Sequence, residues 1–185
     1  MLGITQLKTN TKIELDGEPF VVLDYQHAKM GRGGAVVRTK LKNLKTGATL
    51  QKTFQGNDKI APANLESRNG QYLFADGGSF TFMDTGTYEQ FAVPNATIGD
   101  QAKYLKEGLE VQLLQFKGQV IAVELPIKVA YAVTETDPGL KGDTATGGSK
   151  PATLESGAVV TVPLFVQIGD KVVVDTRTGD YVERA

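Results

Sequence analysis

Short runs of β-branched and aromatic residues recur along the chain and are separated by turn residues such as Asp76-Gly77-Gly78 and Lys117-Gly118. Runs of this kind, about four to seven residues long, predict strands. We place them at 20–25, 35–41, 49–54, 71–74, 79–83, 110–116, 120–125, 159–162 and 171–174. Many short strands with frequent turns are typical of small barrels or sandwiches, so we predict an all-β fold.

Helix is scarce in this pattern. The best candidate is the segment 101–107, with Asp100 as the expected N-cap and Gly108 where a helix would stop. About two turns of helix would act as a connector between sheets rather than as an architectural element.

Composition narrows the function classes. The 185 residues include no Cys, no Trp and one His. Disulfides, thiolate metal sites, iron–sulfur clusters and two-His metal sites are therefore excluded, and we expect no metal, no cofactor and no enzymatic activity. No long apolar run or apolar leader is visible, so we expect a cytoplasmic protein without a membrane partner. No apolar heptad pattern marks an oligomer interface, so we also expect a monomer.

Domain boundaries are predicted near 64 and 127, after Ala61-Pro62-Ala63-Asn64 and after Leu125-Pro126. The resulting domains, 1–64, 65–127 and 128–185, each suit a five-stranded barrel of the SH3-like or OB type. The three predicted domains differ in net charge, which is +5, −4 and −2 in that order. The first domain can therefore present a basic surface to a phosphate-rich partner, although a merely solvated face would look the same.

The strongest candidate site is the segment 29–34, which lies between two predicted strands. Gly31, Gly33 and Gly34 allow positive φ angles and leave Arg32 without bulky neighbours, so Arg32 is predicted at the exposed tip of a long hairpin that begins at Lys29.

The strand after this hairpin tip alternates in polarity. Val37, Thr39 and Leu41 share one face, and the other face carries Arg38, Lys40 and Lys42. A row of cations behind Arg32 would suit nucleic-acid phosphates. The alternative is a tight turn followed by a solvated edge strand, on which Lys residues merely discourage aggregation.

The sequence offers weaker support for two further candidate sites. The segment 142–150 has the glycines of a phosphate loop, but no Ser or Thr follows Lys150 and no strand–loop–helix context is visible, so it is read as a polar surface loop. His27 lacks an orienting acid, because a strand would place Asp24 on the opposite face.

The hairpin and the last third together resemble the bacterial elongation factor P family. The tip, Lys29-Met30-Gly31-Arg32-Gly33-Gly34-Ala35, is similar to the family's loop of Lys, any residue, Gly, Lys or Arg, Gly, any residue, Ala. A second motif of the family is found, in order, at Lys150-Pro151-Ala152, Gly157, Val160, Val162-Pro163, Val166 and Gly169. The resemblance extends to Glu89-Gln90-Phe91 and to the segments 137–144 and 175–182, and thus runs end to end.

This resemblance implies an SH3-like (KOW-type) barrel followed by two OB barrels, in an L shape similar to a tRNA. It implies a factor that binds the 70S ribosome between the P and E sites, contacts ribosomal RNA and prolyl peptidyl-tRNA, and relieves stalling at consecutive prolines. Arg32 would then reach the CCA end of the P-site tRNA. The stretch Gly142-Asp143-Thr144 would approach the E-site codon on the small subunit.

The sequence leaves two questions open, the chemical state of Arg32 and the exact function. An arginine tip occurs in relatives that carry a rhamnose on it, which would require an arginine-modifying glycosyltransferase as a partner, and also in relatives in which it would be bare. The function could instead be that of a paralogue of the family or of a general single-stranded RNA-binding OB protein. The latter predicts exposed aromatic residues, whereas most of the 8 Phe and 6 Tyr fall in apolar strand patterns and are predicted to lie in the core.

Overall fold

The computed structural model describes residues 1–30, 34–139 and 148–185. These residues form three five-stranded antiparallel sheets, which confirms the predicted all-β fold. The first sheet contains β1 (Lys12–Leu15), β2 (Glu18–Met30), β3 (Gly34–Asn43), β4 (Thr49–Gln55) and β5 (Ala61–Pro62). The second contains β6 (Leu65–Asp76), β7 (Ser79–Asp84), β8 (Gln90–Pro94), β9 (Glu110–Phe116) and β10 (Gln119–Glu124). The third contains β11 (Lys128–Thr136), β12 (Ser149–Leu154), β13 (Val159–Pro163), β14 (Lys171–Asp175) and β15 (Tyr181–Arg184).

The first sheet has the strand order β4-β3-β2-β1-β5. Its core is formed by apolar side chains from one face of the strands β1 to β4, from the 3-10 helix Ile4–Gln6 and from the adjoining segments. Fully burying one such side chain stabilises the fold by about 1.5–3 kcal/mol. The core members are Ile4, Leu7, Ile13, Phe20, Val22, Val37, Leu41, Phe54 and Ile60.

The strand order of the first sheet excludes one interpretation of the sequence, in which the strand after the hairpin tip is a solvated edge strand. β3 is not an edge strand, because it pairs with β2 on one side and with β4 on the other. The β4 ladder covers β3 from Val36 to Lys42. The cations of β3 therefore do not serve to protect an open sheet edge.

The second and third sheets have the orders β10-β9-β6-β7-β8 and β13-β12-β11-β14-β15. Phe82 and Leu113 are fully buried in the second, and Tyr131 and Val172 in the third. Strands β1, β5, β8, β11, β12 and β15 were not predicted, and β6 is much longer than the predicted 71–74.

The predicted helix 101–107 is wrong in position and type. A single α-helical turn, α1 (Asn95–Ile98), begins directly after Pro94 and leads into the 3-10 helix Gly99–Tyr104. Asp100 thus lies inside the 3-10 helix and does not cap it. The 3-10 helix ends at Tyr104, because the backbone of Leu105 is extended, and both of these residues are buried.

The described residues group into two compact units. The first unit is Met1–Arg68 with Leu113–Val123, and the second is Asn69–Gln112 with Glu124–Ala185. The strands β6, β9 and β10 therefore contribute to both. The boundaries near 64 and 127 stay a prediction.

Within the first unit, the β9–β10 turn lies against the first sheet. Lys117 and Gly118 both have positive φ angles, as the tight hairpin turn requires. The Lys117 Nζ lies 2.6 Å from Glu14 Oε1 on β1. Beside this ion pair, Phe116 and Ile121 are buried with Ala63, and Leu44 and Leu65 pack against them.

Candidate nucleic-acid interface

The β2–β3 hairpin is the longest paired element of the first sheet. Its ladder extends from Phe20 opposite Asn43 to Met30 opposite Gly34. Lys29, predicted to support the hairpin tip, is the next-to-last residue of β2 and is aligned with Ala35. Gly34 begins β3. The connecting residues Gly31, Arg32 and Gly33 lie outside the described residues, so the role of Arg32 stays a prediction.

The predicted alternation along β3 is confirmed. Val37, Thr39 and Leu41 are buried, and the residues that alternate with them, Arg38, Lys40 and Lys42, are exposed. The Thr39 hydroxyl donates to the Lys52 carbonyl, which satisfies the polar group on the buried face. Because alternate residues along a strand are about 6.7 Å apart, the three cations form an evenly spaced row. We call this the basic face.

Polar side chains flank the basic face on both neighbouring strands. Arg38 lies between Gln26 and Thr53 in the cross-strand register, and Lys40 lies between Asp24 and Gln51. Together these residues line a surface groove of about 450 Å³. The Asp24 carboxylate accepts the Tyr25 N–H at 2.9 Å. Arg38 is thus flanked by an amide and a hydroxyl group, and Lys40 by an amide and the Asp24 carboxylate. Exposed cations can bind phosphate oxygens through charge-assisted hydrogen bonds.

His27 lies on the other face of the hairpin from the basic face. Its ring contacts that of Tyr25 edge-on, with centroids 5.3 Å apart and planes 82° apart. Tyr25 in turn packs against the first core. The arrangement is that of an aromatic pair near the hairpin end.

The predicted E-site loop residues Gly142, Asp143 and Thr144 lie outside the described residues. The strands on either side of that loop are joined by a bond that the sequence did not predict. Lys150, which is almost fully buried, donates from Nζ to the Asp137 carbonyl at 2.6 Å. A lysine in the otherwise apolar alternation of β12 was the only sign of it.

A polar cluster in the second unit contains two groups with shifted pKa values, Glu155 and Tyr131. Lys106 donates to the Ala130 carbonyl at 2.6 Å and pairs with Glu155 at 3.2 Å. Partial burial opposes ionisation of Glu155, but the N–H of Ala132 and the Lys106 ammonium outweigh it and lower the pKa of that carboxyl. Burial raises the pKa of the Tyr131 hydroxyl, which donates to the Tyr104 carbonyl at 2.7 Å. These contacts hold the segment 104–106 against the third sheet.

Three aromatic side chains are exposed, while the sequence predicted that most aromatic residues lie in the core. Phe74, Tyr88 and Phe165 have 53%, 73% and 59% of their surface exposed, so they do not belong to a core. Within the described part of the chain, no group of three acidic or His side chains could hold a metal ion. In the same residues, no helix is long and apolar enough to cross a membrane.

Comparison with known families accounts for nearly the whole chain. Residues 4–60 match the elongation factor P KOW-like domain, residues 65–123 the elongation factor P OB domain, and residues 129–184 the elongation factor P C-terminal domain. The predicted SH3-like and OB architecture is thereby confirmed. These matches define the class of protein, a translation elongation factor.

Full-length relatives agree. Elongation factor P of Pelotomaculum thermopropionicum is 52% identical over 184 residues, and that of Desulfitobacterium hafniense is 51% identical over 185 residues. Both alignments cover 100% of each chain. The chain belongs to the elongation factor P family.

Solved structures are similar over about two thirds of the chain. Translation initiation factor 5A from Methanococcus jannaschii is 25% identical with a TM-score of 0.55, covering 66% of this chain and 94% of its own. A translation initiation factor 5A family protein from Naegleria fowleri has a TM-score of 0.53 at 13% identity, covering 67% of this chain and 96% of its own, and shows likeness of fold.

Proposed function

We propose that this chain binds the ribosome between the P and E sites and promotes peptide-bond formation at consecutive prolines. The observation that carries the proposal is the basic face, where Arg38, Lys40 and Lys42 are exposed on an interior strand that leads away from the predicted Arg32 tip. Family membership supplies the ribosome as the partner. The basic face would lie along tRNA phosphates, where cations contribute most to affinity.

The proposed mechanism requires no chemistry from the protein itself. Peptide-bond formation needs the amine and the ester held in attack geometry, and the fixed φ of proline makes it a poor participant. Arg32 would hydrogen-bond to phosphate or sugar groups of the CCA end and so order the peptidyl-tRNA. Gly142, Asp143 and Thr144 would contact the E-site codon.

A translation assay on purified ribosomes tests this function. Full-length product from a reporter with three consecutive prolines should rise when the protein is added, and product from a proline-free reporter should not. Arg32→Ala should abolish the effect while the far-UV circular dichroism spectrum is unchanged. Lys128→Gln, an exposed charge change on the third sheet, is the matched control and should behave as the wild type. No response at saturating protein would contradict the proposal.

The state of Arg32 is tested separately by peptide mass mapping of protein from its native cells. A mass increase of one deoxyhexose on the Arg32 peptide would indicate a rhamnosylated tip and a glycosyltransferase partner. An unshifted peptide would indicate that the bare guanidinium makes the contact.

A second function, general binding of single-stranded RNA, is favoured by the exposed rings of Phe74, Tyr88 and Phe165, since such rings can stack on bases. It predicts that the protein binds an unstructured oligouridine and that Phe165→Ala weakens this binding. It also predicts no preference for the proline reporter, which separates it from the first proposal.

A further inference from the structure

A fourth cation lies on the same sheet face as the basic face. Lys12 of β1 is aligned with Val21 of β2, and Val21 is aligned with Lys42 of β3. Directly opposed residues of antiparallel strands project to the same face. With about 4.8 Å between neighbouring strands, Lys12 and Lys42 are about 10 Å apart across the sheet.

The outward direction of Lys12 is set by its neighbour in the chain. Ile13 is fully buried and is aligned with Phe20, another member of the first core. Because side chains alternate along a strand, Lys12 must lie on the opposite, solvent side, where it is exposed. The packing that holds β1 in the sheet therefore also holds Lys12 on the basic face.

One carboxylate on the same strand face as Lys12 already has a partner. Glu14, two residues further along β1, pairs with Lys117 at 2.6 Å. Lys117 reaches it from the β9–β10 turn, which is held in place by the burial of Phe116. Without Lys117, the negative charge of Glu14 would repel a phosphate bound at Lys12.

We propose that Lys12 extends the basic face into one RNA phosphate-binding surface that turns across the sheet from β3 to β1, with Lys117 neutralising Glu14 at its rim. This inference rests on the proposed function and adds residues to the same surface. RNA suits it better than a protein partner, because the row Lys12, Val21, Lys42 and Thr49 offers only one apolar side chain. Protein interfaces usually have an apolar, aromatic-rich centre.

Equilibrium binding to 70S ribosomes carrying peptidyl-tRNA, measured across a range of KCl concentrations, tests the proposal. Lys12→Gln should weaken binding by about three- to tenfold and reduce the salt slope by roughly one phosphate contact. Glu14→Gln should tighten binding by about twofold, because it removes a negative charge from the surface. Arg38→Gln reports on the basic face, and Lys128→Gln is the charge-matched control.

The variants separate this inference from the proposed function. If Arg38→Gln weakens binding and Lys12→Gln behaves as Lys128→Gln, the inference is wrong and the proposed function stands. If neither Arg38→Gln nor Lys12→Gln weakens binding, both are wrong. If Glu14→Gln weakens binding as much as Lys12→Gln, the β1 residues act only through the fold, which also overturns the inference.

The chemical class of the partner is tested by directed cleavage. The natural chain has no Cys, so Thr49→Cys provides a single attachment point for an iron chelate at the end of the same cross-strand row. Hydroxyl radicals generated there should cut RNA in the ribosome complex. Undiminished binding without RNA cleavage would place a protein against this face and overturn the proposal.

Discussion

Replacing Lys106 by Met tests whether the polar cluster of the second unit stabilises the fold. The change keeps the aliphatic part of the side chain and removes the ammonium. That ammonium donates to the Ala130 carbonyl at 2.6 Å, pairs with Glu155 at 3.2 Å and lies 5.3 Å from the centre of the Tyr131 ring. All three contacts join the end of the short helical segment to the third sheet.

The expected loss is about 2 kcal/mol. A hydrogen bond to a charged group contributes about 1.5–3 kcal/mol, and a partly exposed ion pair contributes at most about 1 kcal/mol. Glu155 keeps the Ala132 N–H at 3.0 Å in the variant, which limits the penalty at the carboxylate. For a chain of this size each kcal/mol lowers Tm by about 2–4 °C, so Lys106→Met should lower it by about 4–8 °C.

The Tm difference between the wild type and Lys106→Met should also depend on pH. The pKa of Glu155 is lowered from 4.5 in the folded protein, so its contribution is present above that pH and is lost as the pH falls through the folded pKa. Since Lys106 is one cause of the lowering, the Tm difference between wild type and Lys106→Met should be largest at neutral pH. It should narrow below about pH 4.

Thermal unfolding followed by circular dichroism at pH 7 and at pH 3.5 measures both effects. Lys103→Met is the control, because Lys103 also lies over an aromatic ring, at 5.2 Å from the centre of Tyr104, but is exposed. Its loss should cost under about 1 kcal/mol. Equal Tm values for Lys106→Met and the wild type at pH 7 would refute the stabilising role of the cluster.

Three further predictions concern the turns and the core. Hydrogen bonds from Arg177 hold the pKa of Asp175 at about 2, so an NMR titration should show that midpoint, and Arg177→Gln should raise it toward 3.8. Gly179→Ala should lower the free energy of unfolding in urea by about 1–3 kcal/mol, because φ is +82° at this position and the new Cβ would lie 2.5 Å from the Tyr104 hydroxyl. Tyr104→Phe in the same chain should recover part of that loss. Gln115 is buried, and its amide nitrogen has no hydrogen-bond partner among the described residues, so Gln115→Met should raise Tm; a lower Tm would contradict this.

The basic face could be predicted from the sequence because its signal is local. Three apolar or β-branched residues alternate with three cations over six positions of β3, and that alternation alone fixes which side chains are exposed. The tight turn at Lys117-Gly118 could be predicted from an equally local signal. Both of its residues adopt the positive φ angles that short hairpins require.

The contribution of Lys12 could not be predicted in this way. β1 has four residues, which are too few to show a clear alternation of apolar and polar positions. Only the register between β1 and β2 shows that Lys12 is aligned with Val21. The pair formed by Lys117 and Glu14 spans 103 positions of the chain, and the pair formed by Lys106 and Glu155 spans 49. The helix position could not be predicted because the local signals at Asp100 and Gly108 do not report the tertiary packing that buries Tyr104 and Leu105.

The alternation along β3 also restricts how this protein can change over evolution. Substitutions at Arg38, Lys40 or Lys42 alter the surface alone, so the charge of the basic face can vary one residue at a time. An inserted or deleted residue within the strand has a different effect, because it moves every later side chain to the opposite face. Cations would then enter the core while Val37 or Leu41 faced solvent, so one such event would damage folding and recognition together. Length variation in relatives should therefore fall in the turns and spare β3.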